Sequence, residues 1–542
     1  MKRRYDNLSL DRRQFLTSTS LVALSQVGTH AATANDSHNL AAHIHPDVKY
    51  VRAELARQDN TFWDWQEAND KLTSLNKFAE DYFEQHVEVI DGAKHEGDEQ
   101  DIDDWEDEPD LFDFQDEVDK AKELAKPFPE GDARDCVRDW LEASKESIRL
   151  VERGLARRRY QVPQEYLTAF LSTGNKMEEL PVPRNIATLK TVLCNDCLAR
   201  GEPALATQHL VDLLKIANMT MNGEGYLVHY MVALGVHTTA MDAVNAFAFS
   251  PQITNQSLAK ILDFLPQTMP STQSLARVFR VEVGYYVQHD LPVLPPTADL
   301  QQLVDTLIKK YLQLGNDEPN AMFTSHEQID RVRSGMLKLF DGHPQPFDAA
   351  DTIRIYSESV ATMINDLSSP WLQRKQDIAK PWLAEIAAWP EPLSFINDLS
   401  FSLSGDEKEE RAVTDYELSQ AQVKLRQVHN PIGKHMLHYF NTFESIRRAH
   451  HIGQLRAEIA GVFIACRMYR DKERRLPDRL SDLVTSGLLP SVPIDPFSGQ
   501  AVRYDPRRRL IWSFGTNEVD DNGDWDFNAT FPDGDDIVWR IP

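Results

Sequence analysis

Apolar residues recur at spacings of three and four through most of the chain, the period of a helix with one buried face. Leu205, Leu210, Leu213, Leu214 and Ile216 fall on one broad face of a helix that Gly223 and Gly225 interrupt. Tyr226 to Phe247 starts another, with Leu227, Met231, Leu234, Met241 and Val244 as its apolar positions. Ser250-Pro251 ends it, and Leu258, Ile261, Leu262 and Leu265 begin a third. No fixed period links these hairpins, so the pattern over 132–440 predicts an irregular helical bundle or hairpin array rather than a repeat solenoid. Pro292, Pro295 and Pro296 mark a loop inside it, and Ser404 to Glu410 marks another.

The pattern changes after Asn441. A long amphipathic helix carries Leu455, Ile459, Val462, Phe463, Cys466 and Tyr469 on one side, preceded by the polar run Arg447-Arg448-Ala449-His450-His451. Pro477 starts a short helix with Leu480, Leu483 and Val484, closed by Gly487. Turn residues Pro490, Pro493, Pro496 and Gly499 follow, and then short strands over 501–504, 510–514 and 536–541. The expected fold class is mainly α with a small C-terminal α+β module. Four regions are expected: a signal peptide over 1–34, an N-terminal helical region with an acidic flap or linker over 35–131, a helical domain over 132–440, and the module over 441–542.

At 542 residues with 42% apolar content, the chain exceeds what one hydrophobic core holds. A formal charge of -26 makes nucleic acid and anionic membrane poor partners, because both select clustered cations. The acid is uneven: about half of the residues from Asp91 to Asp119 are acidic, with Trp105, Leu111, Phe112 and Phe114 embedded among them. Self-repulsion extends such a run into a linker or flap, while its aromatic residues suit a groove on this chain or on a partner. Near the N-terminus, Arg12-Arg13-Gln14-Phe15-Leu16 precedes a weakly apolar stretch and an Ala32-Thr33-Ala34 triplet. This resembles a twin-arginine signal, with Asp11 where the family usually has Ser or Thr; the alternative is a basic N-terminus with a chance arginine pair. The signal implies an extracytoplasmic protein, periplasmic or secreted. No stretch is apolar enough to span a bilayer after processing.

A family resemblance rests on the C-terminal order. Tyr469, Arg475-Leu476-Pro477, Leu480 and Leu483 are followed by Val492-Pro493-Ile494-Asp495-Pro496-Phe497-Ser498-Gly499. Tyr504, Ser513-Phe514-Gly515 and Asp535-Asp536-Ile537 complete the series. This resembles the globular part of the major pseudopilin of type II secretion, over less than a fifth of the chain. The family's processing site and exposed apolar helix do not precede the match, so filament assembly is not implied. The resemblance implies a calcium-binding loop, with the Phe514 carbonyl, Asn517, Asp535 and Asp536 as ligands. Chemistry adds Asp520 and Asp524. Leu510 to Trp539 holds eight acids and no Lys or Arg, and carboxylates so crowded repel one another unless protonated or bridged by a cation. Oxygen ligands in a flexible loop favour calcium, and the spacing is not that of an EF-hand. A solvated acidic loop is the alternative.

Other constellations carry less. Cys194-Asn195-Asp196-Cys197 lacks a second pair for zinc and an α/β context for redox work. Cys136 and Cys466 read as buried small hydrophobes. His435 and His438, and His229 and His237, share helix faces without an H-E-x-x-H motif. No G-x-S-x-G elbow or phosphate loop occurs, and Ser74-x-x-Lys77 lacks companion motifs. The expected function is therefore an exported non-catalytic scaffold or binding protein engaging a protein or cell-envelope component. The alternative is an exported hydrolase with its active site in the helical domain.

Overall fold

The local chemistry of helix starts recurs along the chain. Thr254, Ser271 and Asp348 each accept a hydrogen bond from the backbone N–H three residues on, and Thr414 forms a reciprocal box with Glu417. Pro181, Pro203 and Pro431 occupy first helical positions, where a missing N–H costs nothing. The computed structural model describes residues 41–87, 132–157, 159–167, 179–287, 299–311, 326–369, 371, 374, 378–390, 393, 413–437, 441–515, 518–523 and 536–541. The arginine-pair signal, the acidic run over 91–119 and both predicted loops inside the helical domain lie outside those residues.

Among the described residues the chain is mainly helical. In order come α1 (Phe62–Val87), α2 (Asp132–Ala143), α3 (Lys145–Leu155), α4 (Pro181–Ala199), α5 (Pro203–Met221) and α6 (Leu227–Phe249). Then follow α7 (Asn255–Phe264), α8 (Thr272–Tyr285), α9 (Leu300–Tyr311), α10 (His326–Leu339) and α11 (Ala349–Asp366). The last are α12 (Lys380–Glu385), α13 (Asp415–Leu425), α14 (Pro431–Met436), α15 (Asn441–Glu473) and α16 (Leu480–Thr485). A three-stranded antiparallel sheet closes the chain, ordered β1 (Arg503–Asp505), β2 (Leu510–Ser513), β3 (Ile537–Arg540). The mainly α fold with a small C-terminal α+β module is thus as the patterning predicts, with strand ends shifted by a residue or two. No helix among the described residues is long and apolar enough to cross a membrane.

Helix α6 is apolar on every side and forms the axis of the body, packed by α4, α5, α8 and α15. Its five predicted apolar positions are all buried. On α5, Leu210, Leu213, Leu214 and Ile216 are fully buried, but Leu205 is 44% exposed, while Ala206 beside it is buried. Phe62, Trp65 and Leu72 of α1 share one core with α4, α5 and α6.

Helix α15 joins body to module. Leu455, Ile459, Val462, Phe463, Cys466 and Tyr469 pack on Leu480, Leu483, Val502, Ile511 and Ile541 of the module, so the face read from the sequence is the module face. Ala457, Ala460 and Ile464 point the other way, into the core of the body. A Cβ added at Gly453 would lie 3.2 Å from Leu234 and 3.9 Å from His237 Nδ1, so glycine lets α15 lie close along α6. The polar run ahead of this face is not solvated: Arg447 is 1% exposed and His450 0%. Arg447 donates to Asp366 Oδ2 at 3.1 Å and lies 2.8 Å from Glu444, and these two carboxylates offset the charge of the buried guanidinium.

The turn before α14 is closely packed. Asn430, at φ +55°, uses its Oδ1 to accept from the N–H groups of Asp348 (2.8 Å) and Gly433 (3.2 Å), and its Nδ2 to donate to Asp351 (3.1 Å) and Thr352 (2.9 Å). A Cβ at Gly433 would collide with Thr352 Oγ1 and with the Asn430 amide. Gly433→Ala is expected to cost roughly 2–3 kcal/mol through overpacking and lost hydrogen bonds. A fall in the urea midpoint at unchanged slope checks this; an unchanged midpoint would show that the turn adjusts.

Candidate functional site

The acid-rich tail grows out of the end of β2, where a single carboxylate organises the backbone. Asp495, from the Pro-Ile-Asp-Pro loop, is 1% exposed and accepts four hydrogen bonds. They come from Phe497 N (3.0 Å), Ser513 Oγ (2.6 Å), Ser498 Oγ (2.7 Å) and Phe514 N (3.1 Å). This clamp fixes where Phe514 leaves the sheet, with its ring 4.9 Å from the Arg503 guanidinium. Of the six ligand candidates, Phe514, Asp520 and Asp536 are described; Asn517, Asp524 and Asp535 lie outside the described residues.

Asp520 and Asp536 converge beside Gly523 and Trp512. Asp520 Oδ1 accepts from the Trp512 indole (3.0 Å) and the Asn522 amide (3.1 Å), and its Oδ2 lies 3.3 Å from Arg503 Nε. Burial opposes its charge, but these donors outweigh burial and hold Asp520 below the usual carboxylate range. Asp536 differs. It is 0% exposed, its Oδ2 accepts the Gly523 N–H at 2.6 Å, the Asp521 N–H also favours its charge, and its Oδ1 has no hydrogen bond of good geometry among the described residues. Burial first, with the nearby charges of Asp520 and Asp521, pushes its pKa up to about 6.

Positive charge does reach this tail, from outside it. Arg503 pairs with Asp520, Arg374 pairs with Glu518 at 3.2 Å, and Arg508 donates to the carbonyls of Asn522 and Gly523. Arg374 lies 3.4 Å over the Trp371 ring, and Trp371 meets Phe497 edge-on at 5.5 Å, so the body braces the module beside the acidic loop. No sequence signal announces Arg374, which stands 144 residues from its partner. Among the described residues, no three His, Cys, Asp or Glu side chains are grouped to hold a metal ion. The unpartnered Asp536 oxygen is the atom that fits a hard cation.

A second polar cluster sits at the start of α6. His229 Nδ1 accepts the Tyr226 N–H at 3.1 Å, which leaves the proton on Nε2, 3.3 Å from Glu179 Oε1. Both residues line a cavity of about 20 Å³ with Tyr160, Thr220 and Glu224, enough for a water molecule. Glu224 is engaged by Gln161 (2.9 Å), Arg277 (3.7 Å) and Arg52 (3.8 Å). With both His229 nitrogens in use, the pair serves to hold the N-terminus of α6.

Comparison with known proteins returned no matching family model, curated protein or solved structure.

The remaining sequence candidates fall into packing roles. Cys194, Cys197 and Cys466 are buried free thiols, and burial pushes Cys194 and Cys466 up to about 12, which makes them poor nucleophiles. His435 stacks on Trp389 with centroids 3.9 Å apart, and His438 lies outside the described residues. His237 and His450 lie in the seam between α6 and α15, where Tyr230 Oη meets His450 Nδ1 at 2.6 Å.

Proposed function

We propose that the chain is an exported, non-catalytic scaffold: a helical body that engages a protein or envelope component and carries a C-terminal module closed by a structural calcium ion. The calcium reading rests on Asp536, whose buried and unpartnered oxygen stands among further acids. An ionised carboxylate in that position is destabilising alone and stabilising when it ligates a cation. Asp520 and the Phe514 carbonyl are the other described members of the proposed set, and Asn517, Asp524 and Asp535 complete it. The scaffold reading is supported by α15, which is buried on one side in the body and on the other in the module, so the two move as one unit. Engagement of both His229 nitrogens in holding α6 favours this reading over a hydrolase.

Calcium titrated into metal-free protein near neutral pH should raise the melting temperature, by about 2.7 kcal/mol of added stability at a hundredfold excess over Kd. Asp536→Asn should abolish that response, and without calcium it should be more stable than the parent, since it removes a disfavoured charge. A parent protein indifferent to millimolar calcium would refute the metal role.

A further inference from the structure

We propose that the arginine-tipped end of the C-terminal sheet is a docking surface for a carboxylate-rich protein segment. The turn from β1 to β2 is Pro506-Arg507-Arg508-Arg509, and Arg540 on β3 pairs with Leu510 beside it. All four arginines are exposed. Arg508 is spent on the carbonyls of Asn522 and Gly523. Among the described residues, none of Arg507, Arg509 and Arg540 forms an ion pair.

The tip is held rigidly. Asp505 Oδ1 accepts the N–H groups of Arg507 (2.8 Å) and Arg508 (3.0 Å), and Ile541 N donates to the Arg509 carbonyl at 2.8 Å, tying the turn to β3. Arg509 itself stands at φ +56°, a conformation disfavoured for a long side chain and easier for Gly or Asn. Three forked cations, two on the exposed turn and one on the neighbouring strand, suit the carboxylates of an acidic segment.

The surroundings select the kind of partner. The chain carries a net charge of -26, so a flat anionic surface would meet its acidic flanks as well as the tip. A narrow acidic segment meets the tip alone. The acidic loop reaches the tip at Arg508, through the carbonyls of Asn522 and Gly523, which leaves Arg507, Arg509 and Arg540 to meet the partner. The proposal rests on these three arginines and does not depend on calcium.

The test uses the full-length chain and a fluorescently labelled oligoglutamate peptide, followed by anisotropy at low and physiological ionic strength. The parent should bind with an affinity that falls as salt rises. The triple variant Arg507→Gln, Arg509→Gln, Arg540→Gln should bind at least about tenfold more weakly while keeping the parent melting temperature. The charge-matched control Lys260→Gln, Lys338→Gln, Lys424→Gln, which alters exposed cations of the body, should bind like the parent. Absence of peptide binding, equal loss in the control, or equally tight binding of anionic lipid vesicles or an oligonucleotide would overturn the proposal.

Discussion

Replacing Asp495 by Ala is expected to be the most damaging single change in the C-terminal module, with a loss of about 4 kcal/mol or more. The side chain is 1% exposed and satisfies two backbone N–H groups and two hydroxyls at once. The hydroxyls of Ser498 and Ser513 can rotate toward other acceptors, but the amides of Phe497 and Phe514 cannot. Each buried donor left without an acceptor costs roughly 1–3 kcal/mol, more when the lost acceptor was charged. Asp495→Asn should cost less. Its oxygen can keep Phe497 and Ser513, and its amide can donate to Ser498 Oγ, while the Phe514 N–H then faces another donor. Hydrogen exchange is the sharper measurement, because a chain of this size need not unfold in one step. Amides of residues 497 and 510–514 should lose protection in Asp495→Ala, and only that of Phe514 strongly in Asp495→Asn. Equal protection in all three proteins would mean that the clamp does not hold the sheet.

This clamp also shows what is legible in a sequence. The Pro-x-Asp-Pro loop is visible as a motif because its partners lie nearby, all four within nineteen residues of Asp495 and in an ordered run of turn and strand signals. Helix starts and the module face of α15 are legible for the same reason, since caps and periodicity are local. What depends on distant residues is not. Leu510 to Trp539 contains no cation, and the arginines that reach it arrive from Arg374, Arg503 and Arg508. The second buried face of α15 is built from Ala457, Ala460 and Ile464, and alanine carries little hydrophobic signal although it permits close helix approach. Its polar run reads as solvated, yet Arg447 finds Asp366, 81 residues earlier, and is buried by that pairing. Of the six calcium-ligand candidates, the structure brings Asp520 and Asp536 together, and the unpartnered oxygen of Asp536 belongs to tertiary packing that no spacing rule encodes.

The seam between α6 and α15 sets an expectation of the opposite kind, in which stability is lost to acid. His237 and His450 are each 0% exposed, and burial first, then nearby cationic or histidine neighbours, depresses both to about 3. The groups facing them are Arg456, His451 and Tyr230, with the Thr268 main chain as the one neighbour favouring a proton on His237. His451, depressed to about 4 by burial and by Arg447, adds to the same effect. In the unfolded chain these imidazoles titrate near 6.5, so between that value and about 3 the unfolded state binds more protons and stability falls as pH falls. At about pH 5 the loss should be roughly 2 kcal/mol for each of His237 and His450. Asp536, Glu444 and Glu458, raised chiefly by burial, act with the opposite sign below about pH 6, so the histidine part is read from a difference. Neither ring nitrogen of His237 makes a hydrogen bond of good geometry, so His237→Leu should be close to neutral at pH 7 and should remove one proton from the pH dependence of unfolding. Urea unfolding at several pH values between 5 and 7.5 measures that slope. If parent and variant ran parallel, protonation of His237 would play no part in opening the seam, and the acid sensitivity of the helix joining body to module would have to arise elsewhere.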